Sequence, residues 1–220
     1  MYALLLIALV ISVAASIKVQ ITYAKYDKVQ NRQNMSGAEA AEHLLRTNGV
    51  TNVRVEACKG HLTDHYDPSA NVIRLSESVY GSTSVAAVGV AMHEAGHALQ
   101  YATGYGLVQL RSAIVGITNF ASNASYLLIL LSLMFGWTGL LTAGIVLFCV
   151  VVFFQLVTLP VEFNASRRAI ENMEQSMLFD DDELKAARKV LSAAAMTYVA
   201  ATITALLQLL RLISIRGSRR

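Results

Sequence analysis

The sequence predicts a mainly α-helical membrane protein of about four spans, with a small α+β region set between them. Two observations predict it. Hydrophobic residues make up 55% of the 220 and charged residues only 15%, with a mean hydropathy of +0.47, too apolar for an ordinary soluble domain. From Ser112 to Val161 there is no Asp, Glu, Lys, Arg or His. A helix rises about 1.5 Å per residue and the hydrocarbon core is about 30 Å thick, so this stretch makes two crossings and a turn. The formal net charge of +3 is too small to point to nucleic acid.

The elements follow in order. Ala3 to Ile17 is uncharged, with Lys18, Lys25, Lys28 and Arg32 after it and no positive residue before it. That is the pattern of an uncleaved anchor with its C-terminal flank in the cytoplasm, rather than of a signal peptide. Ser36 and Glu39 read as a capping box opening a helix that carries Ala40, Ala41, Leu44 and Leu45 on one side and ends near Gly49. Val53–Ala57 alternates like a strand, Asp64–Asn71 holds turn formers, and Val72–Ser76 reads as a second strand. Ser82 to Ala102 is a helical run, apolar except for His93, Glu94 and His97.

The uncharged stretch then forms a hairpin turning at Gly136-Trp137-Thr138-Gly139, with Trp137 at an interfacial depth. Asn119, Ser122, Asn123 and Tyr126 form a polar stripe in its first arm, of the kind that binds a neighbouring helix. Val190 to Leu210 supplies a last uncharged run. Residues 18–111 carry nine Lys and Arg and residues 162–189 carry five, so both polar segments are expected in the cytoplasm. Arg211, Arg216, Arg219 and Arg220 disagree with a full last crossing, so that helix either crosses anyway or returns its tail. Cys58 and Cys149 are expected as free thiols.

His93-Glu94-Ala95-Gly96-His97 is an H-E-x-x-H motif. At i and i+4 on a helix the two imidazoles sit about 40° apart and can point one nitrogen each at a single ion. Glu94 falls to the side, beside a metal-bound water, where it can take and deliver a proton. Gly96 leaves space for a close approach. Five His and nine Glu give a chance expectation of roughly 0.005 for this pattern, so composition does not produce it. A catalytic zinc needs a third protein ligand. Gln100 and Thr103 stand where the metzincin pattern has its glycine and third histidine, which excludes that class. No acid or His follows Val190. Glu162, just past Pro160 at the cytoplasmic membrane edge, is the best placed; Glu171, Glu174 and the Asp180–Glu183 cluster compete, the last more suited to capping a helix.

With the hairpin and Leu159-Pro160-Val161-Glu162-Phe163-Asn164-Ala165-Ser166-Arg167-Arg168, the chain resembles the YugP-type membrane zinc metallopeptidases over nearly its whole length. The Asp64-His65-Tyr66-Asp67-Pro68 segment is similar too. More distantly it resembles the gluzincins of the HtpX and CAAX prenyl protease group, which place a hairpin between H-E-x-x-H and an E-x-x-A-D motif. The resemblance implies Zn2+ held by His93, His97 and Glu162, with Glu94 as base. Ala165 matches the Ala, and Ser166 replaces the Asp that supports a ligand imidazole. Arg167 and Arg168 are candidates for an oxyanion or Glu162 support, or for lipid headgroups. The distant group further implies that Val72, Ile73, Arg74, Leu75 and Ser76 form an edge strand on which an extended peptide lies.

The organisation expected is a transmembrane anchor (1–24) and a cytoplasmic zincin-like α+β catalytic region with a small sheet (25–111). A transmembrane hairpin (112–160), a cytoplasmic segment with the third ligand (161–189) and a C-terminal membrane helix with a basic tail (190–220) follow. The expected function is hydrolysis of peptide bonds in membrane proteins or peptides at the cytoplasmic face of a multi-pass cell-membrane protein. The alternative is a non-catalytic zinc-binding membrane adaptor or chaperone. A metal transporter would need ionisable groups within the central spans, which have none; a site-2-type protease would need a later Asp, and none follows Asp182.

Overall fold

A computed structural model describes residues 2–218. Its elements are α1 (Tyr2–Tyr26), α2 (Gly37–Thr47), β1 (Arg54–Cys58), β2 (His65–Asp67), β3 (Val72–Ser76), α3 (Glu77–Tyr80), α4 (Val85–Ala102), α5 (Gly106–Phe135), α6 (Thr138–Ser176) and α7 (Asp181–Gly217). Four of these, α1, α5, α6 and α7, are long and apolar enough to cross a membrane. The protein is thus a mainly α-helical membrane protein with a small sheet. The chain divides into two compact units, one of Met1–Ser16, Gly106–Pro160 and Met196–Arg220, the other of Ile17–Tyr105 and Val161–Ala195.

The first unit is helical. Gly136, at φ +73°, makes the turn between α5 and α6, and the Ser132 hydroxyl donates to the Trp137 carbonyl at 2.9 Å across it. Below the turn the two helices touch closely. Ser125 Oγ donates to Gly144 O at 2.9 Å, and a Cβ on Gly144 would lie 2.8 Å from Ile129 Cγ1. Leu141, Ile145 and Leu212 form a buried cluster. The polar stripe of α5 is not part of this packing: Asn119, Ser122, Asn123 and Tyr126 are exposed, while Thr118, Ala121 and Ser125 face inward.

The second unit is built around α4, whose Val85, Ala87, Val88, Ala91, Met92, Ala95 and Ala98 join one apolar core with Ala40, Ala41, Leu44 and Leu45 of α2 and Ile73 and Leu75 of β3. The capping box is present, with Glu39 N on Ser36 Oγ and Ser36 N on Glu39 Oε2. Ser84 caps α4 by accepting from Ala87 N. Asp180 accepts from Asp182 N and Glu183 N, and Glu183 Oε2 answers from Asp180 N, so the acidic cluster opens α7.

Two features differ from the sequence reading. The sheet order is β1-β3-β2, β1 parallel and β2 antiparallel to β3. Val72–Ser76 is therefore the middle strand and not an edge. The cause is β2, only three residues long and flanked by turn formers, too short to show alternation; Asp67 Oδ1 takes Ser69 N and Ala70 N to fold the hairpin. Second, α6 runs through Pro160 to Ser176; proline removes one internal hydrogen bond but is tolerated within membrane helices. The last helix, α7, begins at Asp181, where the acidic cluster caps it as the sequence suggests, and is unbroken for 37 residues, about 55 Å. Arg211 and Arg216 lie on its last turns, and Arg219 and Arg220 are outside the described residues. Both cysteines are free thiols.

Candidate metal centre

The apolar core fixes α4 on all but one side. On that side His93 and His97, four residues apart, bring their rings to 4.8 Å between centroids at 84°. The segment of α6 after Pro160 lies against α4 because Gly96 has no side chain: a Cβ there would sit 2.6 Å from Ala165 O. Three residues before Ala165, on the same side of α6, Glu162 reaches between the imidazoles. Its Oε2 is 3.3 Å from His93 Nε2 and 3.4 Å from His97 Nε2, and its side chain is 2% exposed.

These separations test whether a metal fits. A direct charge-assisted hydrogen bond would be shorter, about 2.7–2.9 Å. Donors on one tetrahedral ion at 2.0–2.1 Å stand about 3.3–3.4 Å apart. The three ligand atoms all lie within 4.8 Å of one another, the one group of three such residues found among those described. A carboxylate this buried is costly without a positive charge beside it, and two nitrogens with a carboxylate oxygen suit a divalent zinc-like ion. The residues fit the metal.

The other face of each ring is held. His97 Nδ1 donates to Gln100 Oε1 at 3.0 Å. Gln100, itself fully buried, is fixed in that orientation because its Nε2 donates to Val161 O at 2.8 Å and to Asn164 Oδ1 at 3.0 Å. Asn164 Oδ1 also accepts from Arg168 Nε at 2.9 Å, and the Arg168 guanidinium lies 5.9 Å over the Tyr105 ring. Ser166 Oγ is 3.1 Å from His93 Nδ1. With Nδ1 of each ring engaged, both Nε2 atoms face Glu162. Burial pushes the His97 imidazole down, but the Glu162 and Glu94 carboxylates push it up further, and it lies above the usual histidine range.

Glu94 is not part of that group of three. Its Oε2 accepts from the backbone N of Tyr66 at 3.1 Å. Tyr66 lies opposite Ile73 in the β2–β3 pair, and an N–H spent on Glu94 points away from β3. The free edge that faces the motif helix is therefore β2. Burial, with Tyr101 and Asp67 nearby, pushes the Tyr66 phenol up, and its hydroxyl donates to Asn71 Oδ1. The Arg74 guanidinium at 2.8 Å and the Ala70 and Ser69 amides hold the Asp67 carboxyl below the usual range.

The structure thus gathers His93, His97, Glu162 and Ser166, with Glu94 alongside and Arg168 reaching His97 only through Asn164 and Gln100. It leaves Arg167 outside, facing Glu171 on the exposed side of α6. It also leaves Val72–Ser76 out: Arg74 pairs with Asp67, and Ser76 is tied to Asp64 through its N–H and hydroxyl. The sequence reading missed Gln100, Asn164 and Tyr66. Gln100 was legible as a polar residue three places after His97, on the same side of an apolar helix; nothing local pointed to Tyr66.

Residues 1–217 match the family described as "Putative neutral zinc metallopeptidase". The chain is 47% identical over 208 residues, 94% of its length and 92% of the relative's, to the protein named "Putative membrane protease YugP" of Bacillus subtilis (strain 168). No solved structure matches. A match of this extent, together with a buried His-His-Glu group and four membrane-length helices, places the chain in the neutral zinc metallopeptidase family, with Zn2+ as its cofactor.

Proposed function

We propose that this protein hydrolyses peptide bonds of membrane proteins or membrane-delivered peptides at the cytoplasmic face, as a gluzincin-type endopeptidase. The observation that carries the proposal is the placement of the two carboxylates of the motif region. Glu162 stands between both Nε2 atoms, whereas Glu94 is held off them by Tyr66 N. One carboxylate is positioned as a ligand and the other as a base. His93, His97 and Glu162 hold the metal. Zinc held there would supply Lewis acidity toward the scissile carbonyl and a water. Glu94 takes the proton from that water and delivers it to the departing amine. Ser166 and Gln100 keep the two rings turned inward. The substrate strand lies along the outer edge of β2, where the Tyr66 backbone borders Glu94, in place of the β3 edge that the sequence implied. The excess of Lys and Arg in residues 18–111 and 162–189, against none between the two central spans, supports the cytoplasmic side.

The test measures zinc content and cleavage of casein or a membrane peptide by the purified wild type, Glu94→Gln and Glu162→Gln. The expected Glu94→Gln protein keeps stoichiometric zinc and loses at least about a thousandfold in cleavage, within the range set by removing a general base and its electrostatic role together. Glu162→Gln loses the metal. Full cleavage by Glu94→Gln ends the mechanism; normal cellular function of that variant would favour an adaptor or chaperone role instead.

A further inference from the structure

Among the described residues, the polar stripe of α5 has no hydrogen-bonding partner. Asn119, Ser122, Asn123 and Tyr126 are exposed, Tyr126 to 73%, and none makes a hydrogen bond with another described residue. Their place along the helix makes this costly. Charge is absent from Ser112 to the end of α5 at Phe135, so residues 119–126 begin seven residues into that span and stop nine short of its end. That is the middle of the hydrocarbon, where lipid offers amides and hydroxyls nothing to bond.

The stripe is also regular. Ser112, Gly116, Asn119, Asn123, Tyr126 and Leu130 are spaced 4-3-4-3-4, a heptad seam, and all are exposed. At about 100° per residue they fall within about 80° of arc. Thr118, Ala121, Ser125 and Ser132, which α5 buries, lie on the opposite side. Gly116 faces open space, so another backbone can come close there.

We propose that this face of α5 is the contact between two copies of the chain, packed in parallel about a two-fold axis along the membrane normal. The chemistry selects a second copy. Asn, Ser and Tyr side chains each both donate and accept, so the stripe is complementary to itself. Two copies inserted in the same orientation bring each seam position opposite its own equivalent, as an isologous interface requires. A 3.5-residue spacing matches the left-handed pairing of two parallel helices.

The experiment uses the full chain with Cys58 and Cys149 replaced by Ser, reconstituted in phosphatidylcholine vesicles. Asn123→Cys is compared with Ile117→Cys, which is also exposed, at 61%, but sits about 120° around the helix. Oxidation is expected to cross-link Asn123→Cys dimers and to leave Ile117→Cys monomeric. Independently, Asn119→Leu/Asn123→Leu is expected to lower the dimer fraction, counted by single-molecule photobleaching, at least about tenfold. Equal cross-linking at both positions, monomers only in the wild type, or an undiminished dimer in the double Leu variant each overturns the proposal. Monomers only would leave the stripe to a helix of a different protein.

Discussion

Gly96→Ala tests how the metal centre is assembled. The new Cβ would sit 2.6 Å from Ala165 O, 3.2 Å from its C and 3.4 Å from its Cα, all backbone atoms that no side-chain rotation can relieve. To reach an ordinary contact α6 must move off α4 by at least about 0.8 Å. Glu162 is three residues from Ala165 on the same helix, so the shift passes to its carboxylate. Metal–ligand distances tolerate about 0.2 Å. The expected result is a fall in zinc affinity of about 10–100-fold, comparable to losing an outer support of a ligand, and a loss of about 1–3 kcal/mol from overpacking. Chelator competition and thermal unfolding of detergent-purified protein measure both. Gly89→Ala is the control on the same helix. Its Cβ would meet Ala187 at 3.7 and 3.8 Å, ordinary contact, and helix propensity favours Ala by up to about 1 kcal/mol. Wild-type zinc affinity in Gly96→Ala, or equal damage from Gly89→Ala, refutes the reasoning.

Other outcomes follow from the same geometry. Gln100→Leu removes the acceptor for His97 Nδ1 and two donors to α6; zinc affinity should fall about 10–100-fold, with a loss of about 1–3 kcal/mol for groups left unpaired. An unchanged zinc titration would show that the His97 ring is held by packing alone. In the metal-free protein His97 lies above its ordinary value of 6.5, so its protonation adds stability that is full below about pH 6.5 and lost as pH rises through the higher folded value. The melting temperature of chelator-treated protein should therefore fall as pH rises above about 6.5, while zinc-loaded protein, with a divalent charge in place of the proton, should lack that fall. A flat profile for the metal-free protein contradicts it.

Much of this protein follows from local pattern. The four long helices needed only runs of apolar residues of sufficient length, and the turn at Gly136 needed a glycine between two of them. His93, Glu94 and His97 share one helix, so their relation is set by the 3.6-residue period before any folding. Ser36 with Glu39, and the strand Val72–Ser76, were equally legible because their signals lie within a few residues. What the sequence could not determine involves partners far apart in the chain. Whether Glu162, Glu171 or Glu174 reaches the histidines depends on how closely α6 approaches α4, and that is decided by Gly96 against Ala165. Whether β3 is an edge depends on β2, three residues that pair only because Asp67 folds the hairpin. Gln100 gains its meaning from Val161 and Asn164, more than sixty positions away. Helical periodicity is encoded in neighbours, whereas the approach of Glu162 to the histidines, the free strand edge and the supports of the imidazoles are products of packing between segments, which only the assembled chain supplies.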